Sequence, residues 1–106
     1  MSKYLFQTSY TAEGFKGLRK EGAASRVAYI RDLFAEQGGT LEAMYWAFGD
    51  SDLYVIAELP DNTTAAAASM AVSASGVVHC KTVVLLTAEQ IDAAGRVEVA
   101  FRAPGT

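Results

Sequence analysis

Segments in which residues alternate in a two-residue period predict the strands of this chain. From Tyr4 to Tyr10, Tyr4, Phe6, Thr8 and Tyr10 fall on one side of the period. The alternation returns from Thr40 to Phe48, and the segment from Leu53 to Leu59 is rich in strand-forming residues. Val77 to Leu86 is a run of β-branched and other apolar residues that is interrupted only at His79, Cys80, Lys81 and Thr82. The pattern therefore predicts four strands.

A turn joins the second and third predicted strands. The segment Gly49-Asp50-Ser51-Asp52 has the residues that tight turns prefer, so these two strands should form a hairpin. Pro60 should end its second arm.

Apolar residues at helical spacing follow the first predicted strand. Thr11 is placed to cap a helix, Gly22 should interrupt it, and Gly38-Gly39 should end it, because glycine readily adopts the left-handed conformation at a helix end. The sequence predicts one long helix or a broken pair here.

Two further helices are predicted nearer the carboxyl terminus. Several possible N-caps between Asp61 and Thr64 precede a helix of small residues from Ala65 to Ser75, with Gly76 as its stop. The capping box Thr87-Ala88-Glu89-Gln90 should start a short helix that ends at Gly95. A short strand-like tail follows, in which Val97, Val99 and Phe101 alternate with other residues.

The order of elements is βαββαβ with a small C-terminal addition. It predicts an α+β fold, a ferredoxin-like sandwich in which an antiparallel four-stranded sheet carries two helices on one face, in one domain over residues 1–106. The second and fourth predicted strands carry apolar side chains on both faces, more than a half-solvated sheet needs. Because the chain has no spare element to cover the second face, we expect a homodimer packed sheet to sheet.

Charge and cysteine content narrow the range of partners. The formal charge of −3 lacks the positive field that nucleic-acid and polybasic membrane partners require, so neither is expected. The one cysteine, Cys80, cannot close an intrachain disulfide, and the chain begins with strand-like sequence instead of a signal peptide, which predicts a cytoplasmic location. His79 and Cys80 point to opposite faces of a strand and no cofactor motif is present, so neither a metal nor a cofactor is expected.

Several spaced segments together resemble a known family. They are Lys3-Tyr4-Leu5-Phe6-Gln7 with Ser9-Tyr10-Thr11, Gly38-Gly39, Phe48-Gly49-Asp50-Ser51-Asp52, Leu59-Pro60-Asp61 and Leu85-Leu86-Thr87. Over nearly the whole chain they look like the GYD domain family. The resemblance implies a dimeric α/β barrel of ferredoxin-like protomers paired through their sheets, among small bacterial proteins whose molecular role is largely unassigned. This sequence departs from the family's naming motif, because Ser51 stands where a tyrosine would precede the aspartate.

The hairpin turn and the one histidine carry the candidate polar chemistry. Asp50 and Asp52 could act as hydrogen-bond acceptors or as a general base at the mouth of a pocket, or could simply bond their own backbone as turn residues do. His79 is suited to proton transfer near neutral pH, although a single histidine on a sheet is more often a packing or interface residue.

Aromatic residues on three predicted strands suggest a cavity for a small apolar or aromatic molecule between the sheet and the helices. Tyr10 and either Trp46 or its neighbour Tyr45 should contribute to it, with Asp50 and Asp52 near its rim and His79 as a further polar contact. A one-residue change in register exchanges Tyr45 and Trp46 between the cavity and the dimer interface. The other aromatic residues are ordinary core or interface.

Three functions remain open. The leading hypothesis is a small-molecule-binding homodimer, and the alternatives are a metal-free, cofactor-independent enzyme of the oxygenase or isomerase type and a purely structural assembly module. An enzyme needs a titratable group that points into an apolar cavity, whereas a binding protein can use neutral groups. An assembly module would have a filled interior.

Overall fold

The computed structural model describes all 106 residues and contains four strands and four helices. In chain order the elements are β1 Ser2–Tyr10, α1 Ala12–Glu21, α2 Ala23–Glu36, β2 Thr40–Trp46, β3 Leu53–Leu59, α3 Asn62–Ala74, β4 Val78–Leu85 and α4 Ala88–Gly95. The strands form one sheet in the order β2-β3-β1-β4, and every neighbouring pair is antiparallel. The predicted α+β, ferredoxin-like arrangement is confirmed.

Glycines divide and end the first helical segment. Thr11 caps α1 by accepting a hydrogen bond from the Gly14 amide at 3.2 Å. Gly22, with φ of 93°, separates α1 from α2, so the broken pair is the correct alternative. Gly38, with φ of 81°, lies just beyond the end of α2 and turns the chain toward β2.

Side-chain caps begin the other two helices. Asp61 caps α3 by accepting from the Thr64 amide at 2.8 Å, and this hydrogen bond holds the pKa of the Asp61 carboxyl below its usual value. The capping box between Thr87 and Gln90 begins α4, as predicted.

The core lies between one face of the sheet and the helices. Tyr4, Phe6 and Thr8 of β1 alternate into it, and Phe34 of α2 stacks on Phe6 with ring centroids 5.6 Å apart. Every second residue of β3 is also buried there. Only ten residues of the chain are buried, so a large apolar surface stays exposed on a single copy.

The C-terminal tail differs from its prediction. Residues 96–106 form no strand, and Val97, Val99 and Phe101 are all exposed. An isolated strand has no hydrogen-bonding partner, and every hydrogen bond of this segment stays within it or reaches back to α4. The alternation alone therefore did not suffice for a strand.

Candidate functional site

A largely apolar cleft lies between α2 and α3, with the sheet as its floor. At its base is a cavity of about 70 Å³, which continues outward into a groove of about 340 Å³ between the two helices. Arg26, Ile30, Leu33, Ala68, Val72 and Val78 line both parts. The cavity and groove together form one candidate site, which we call the cleft.

Small side chains on α3 keep the cleft open. This helix presents Ala67, Ala68 and Ala71 toward the larger Ile30 and Leu33 of α2. Alanine is too short to bridge the space between the helices, so the apolar floor of the sheet is reachable from outside. The alanine-rich composition of α3 therefore has a direct structural consequence.

The polar groups at the base of the cleft are few and mostly already bonded. The Thr8 hydroxyl donates to the Leu53 carbonyl at 3.1 Å. The Tyr10 hydroxyl accepts a hydrogen bond from the Trp46 indole N–H at 3.2 Å. Half-buried Cys80 contributes its thiol to the lining. Such a surface suits an apolar molecule with few polar groups.

Arg26 is the one charged side chain that lines the cleft. Its guanidinium lies 3.7 Å from a carboxylate oxygen of Glu21, at a surface where ion pairs are weak. The same guanidinium stacks 4.7 Å above the centre of the Tyr29 ring. These contacts hold a positive charge at the side of the cleft without burying it.

The register of β2 determines which aromatic residue faces the cleft. Trp46 pairs with Leu53 and lies on the helix side, packed against the core and bonded to Tyr10. Tyr45 lies on the opposite face and is 73% exposed. An irregularity in pairing between Leu41 and Ala43 adds one residue to β2, which keeps both Leu41 and Trp46 on the core side.

Asp52, at the end of the hairpin turn, forms hydrogen bonds with the backbone of β1. Its carboxylate accepts a hydrogen bond from the Tyr10 amide at 2.8 Å. Its own amide donates to the Thr8 carbonyl, also at 2.8 Å, so Asp52 continues the pairing of β1 beyond the start of β3. The structure thus uses Asp52 to fasten the hairpin and does not place it in the cleft lining.

His79 points to the other side of the sheet, and Asp50 lies in the hairpin turn, outside the cleft lining. Together with Gln7, Ser9 and Lys81 they border an open polar depression of about 600 Å³ at the hairpin end. The structure therefore does not bring all the expected residues into one pocket, because the alternation of β4 directs Cys80 toward the helices and His79 away from them. Their roles in ligand binding stay predictions.

The face of the sheet opposite the helices, which we call the uncovered face, carries ordered rows of side chains. Its central row crosses all four strands and is apolar: Ala43, Ile56, Leu5 and Val83 are consecutive cross-strand neighbours. The row on the hairpin side is mixed and consists of Tyr45, Tyr54, Gln7 and Lys81. The uncovered face thus has an apolar centre.

A charged cluster borders that centre on the side away from the hairpin. The Lys3 ammonium donates to the carboxylates of both Glu42 and Glu58. The hydrogen bond to Glu42, and to a smaller extent the one to Glu58, raises the pKa of Lys3. The bond from Lys3 lowers the pKa of Glu58. One ammonium group is thus shared by two carboxylates, so the cluster keeps an excess negative charge.

Neither a metal-ligand cluster nor a transmembrane helix is found in the structure. No group of three His, Cys, Asp or Glu side chains converges as metal ligands would. None of the helices has the length and apolar character that crossing a bilayer requires.

The family of the chain follows from its match to a family model. The model of the GYD domain matches residues 4–94, from β1 into α4. The chain belongs to the GYD domain family. Comparisons with curated proteins and with solved structures give no match. The matched residues include both sides of the cleft and all four strands of the uncovered face.

The cleft also contains helix residues that were not predicted from the sequence. Arg26, Ile30 and Leu33 recur at helical spacing and lie on one side of α2. On α3, Ala68 and Val72 are four residues apart, a spacing that also places them on one side. These spacings can be seen in the sequence, whereas the distance between the two helices cannot.

Proposed function

We propose that this GYD-family protein binds a small apolar or aromatic molecule in the cleft. The observation that carries the proposal is an accessible apolar cavity in the protomer, walled by two helices that leave a groove between them. A filled interior would have favoured a purely structural module. Binding of an apolar molecule would remove this lining from water, which is the main driving force for such ligands.

The distribution of titratable groups favours binding over catalysis. The cleft lining contains no carboxylate and no imidazole, and its titratable members are Tyr10, Arg26, Tyr29 and Cys80. Asp50 and His79, the better candidates for proton transfer, border the polar depression at the hairpin end instead. An enzyme acting on a molecule in the cleft would lack a carboxylate or histidine base beside it.

Arg26 favours a ligand with an acidic group at one end. It would meet a carboxylate at the groove while the apolar body of the ligand enters between α2 and α3. We therefore expect decanoate to bind more tightly than decanol, which has the same chain length and no charge.

Fluorescence from Trp46, the sole tryptophan, supplies a direct assay because its indole is bonded to Tyr10 at the cavity. Titration with decanoate and decanol should change the emission saturably. Arg26→Gln should weaken decanoate about tenfold and leave decanol unchanged. If Arg26→Gln lowered the affinity for decanoate and decanol equally, the proposed role of the Arg26 charge would be contradicted.

A pair of alanine substitutions on α3 tests the location. Ala68→Phe should fill the cavity and abolish binding of both compounds, whereas Ala66→Phe, on the exposed surface of the same helix, should not. If wild-type protein binds neither compound, or if Ala68→Phe binds both normally, the proposed site is wrong.

We also propose that two copies associate through the uncovered face. The support is its apolar central row, whose Val83 is 41% exposed in a single copy. A second copy presents the same surface, so a two-fold axis would bury both rows at once. A stable contact of this kind should bury more than about 1,000 Å² in total.

Two adjacent valines on β4 provide the experiment. Val83 lies on the uncovered face and Val84, 50% exposed, lies on the helix side. Val83→Asp should convert a dimer to a monomer in sedimentation velocity, and Val84→Asp should leave it dimeric. A wild-type monomer at micromolar concentration would contradict the proposal, as would equal behaviour of the two variants.

A further inference from the structure

The last residues of the chain project from the protomer. Every hydrogen bond of residues 96–106, the C-terminal arm, stays within the arm or reaches back to α4. The principal extents of the molecule are 57 × 33 × 22 Å. The radius of gyration is 16.9 Å, against about 13 Å for a compact chain of this length. The molecule is therefore elongated beyond its sheet and helices.

The arm has the composition of a segment that is buried on another surface. Val97, Val99 and Phe101 recur at every second position, and Phe101 is 78% exposed. In a fully extended conformation they would share one side. The amides of Glu98, Val99 and Ala100 have no partner in the protomer. Both features suit a strand that pairs with a sheet edge.

The protein itself has such an edge on β2. The sheet ends at β2 on one side and at β4 on the other. Charge favours β2, because it carries one acid, Glu42, and no base, whereas β4 carries Lys81 and no acid. The arm contains Arg96 and Arg102 against the single Glu98, so it is weakly positive.

We propose that in the homodimer each C-terminal arm crosses to the partner and adds a strand to the free edge of its β2. This inference rests on the proposed dimer through the uncovered face. Main-chain hydrogen bonds supply the pairing, and Val99 and Phe101 are buried at the contact. The central apolar row begins with Ala43 on β2, so the arm extends the same apolar surface.

Neighbouring substitutions in the arm test the contact. Phe101→Asp should raise the dimer dissociation constant at least about tenfold in analytical ultracentrifugation. Ala100→Asp introduces the same charge one position away, on the other side of an extended arm, and should change the constant less than about twofold. An unchanged constant for Phe101→Asp, or equal effects of the two variants, would overturn the proposal.

Hydrogen exchange locates the contact. In wild-type dimer the outward amides of β2 should be protected, and Phe101→Asp should expose them while the β4 edge keeps its rate. A response at β4 instead of β2, or no difference at either edge, would overturn the assignment to β2.

The same measurements separate this proposal from the dimer itself. If the wild-type protein is a monomer, both are wrong. If Val83→Asp dissociates the dimer and Phe101→Asp does not, the arm proposal alone fails. Circular dichroism on both arm variants should show the helices of the wild type, because Ala100 and Phe101 are both exposed in the protomer.

Discussion

Two glycines in α1 show how differently the same residue type is constrained. A Cβ at Gly14 would lie 2.4 Å from the Val77 carbonyl oxygen, so α1 approaches the start of β4 too closely for any side chain. A Cβ at Gly17 would meet nothing within 4 Å. Gly14 is thus required by packing and Gly17 is not.

We expect opposite effects of alanine at these positions. Gly14→Ala should destabilise the protein by about 1 to 3 kcal/mol, because backbone must move to relieve the contact. Gly17→Ala should stabilise it by about 0.5 to 1 kcal/mol by lowering the entropy of the unfolded chain. Urea unfolding measures both values, and destabilisation by Gly17→Ala would contradict this account.

The two hairpin aspartates should also differ in how much they contribute to stability. Asp52→Ala leaves the Tyr10 amide without its acceptor and should cost about 1 to 2 kcal/mol of unfolding free energy. Asp50 is exposed, and Asp50→Ala should change stability by less than about 0.5 kcal/mol. Urea unfolding again makes the comparison. Because neither residue lines the cleft, decanoate affinity should be the same in both variants.

At the scale of elements, the ion pairs of Lys3 with Glu42 and Glu58 link strands β1, β2 and β3. A further charged side chain, Asp61, caps α3. Glu58 and Asp61 have lowered pKa values in the folded state, relative to usual values of 4.5 and 3.8. The unfolded chain therefore binds more protons as the pH falls through this range, and stability decreases below about pH 4.5. The raised pKa of Lys3 stabilises the fold below 10.5, and that contribution disappears as the pH rises through the folded value.

This linkage predicts a stability plateau between mildly acidic and alkaline pH. When urea unfolding is measured at pH 7 and pH 3, the free energy of unfolding should decrease less between the two pH values in Glu58→Gln than in wild type. Lys3→Met should also reduce this acid-induced loss of stability. The reduction in the double variant should be smaller than the sum of the two single reductions, because both substitutions remove the same hydrogen bond between Lys3 and Glu58. An acid dependence identical in wild type and both variants would show that the cluster does not contribute.

At the scale of the whole molecule, dimerisation would make stability depend on protein concentration. A dimer that unfolds to separate chains gains stability by mass action, so Tm should rise when the concentration is increased a hundredfold. Val83→Asp should remove this dependence by producing a monomer. A concentration-independent Tm in wild type, measured with reversible unfolding, would contradict a dimer of moderate affinity.

The strands and caps were predictable because their signals are local. The two-residue period of β1, the capping box of Thr87 and Gln90, and the break at Gly22 each depend on neighbouring backbone and were read correctly. Val97 to Phe101 carried an equally clear alternation and formed no strand, because a strand needs a neighbour that sequence alone does not supply.

The candidate site depended on contacts between distant segments. Sequence predicted an apolar cavity beneath the helices and included Tyr10 in its lining, but it could not choose between Tyr45 and Trp46. That choice required the register of β2 against β3, including the irregularity near Glu42. The dimer, the ligand and the cytoplasmic location stay predictions.

The sequence by itself determined the element order, the caps and the βαββαβ fold, because hydrophobic period and turn chemistry act over a few residues. Only the tertiary structure decided that His79 points away from the cleft, that Asp50 lies outside its lining, and that α2 and α3 stand apart around it. The physical reason is that a side chain's face depends on strand pairing, and a cavity's existence on the spacing of elements far apart in the chain.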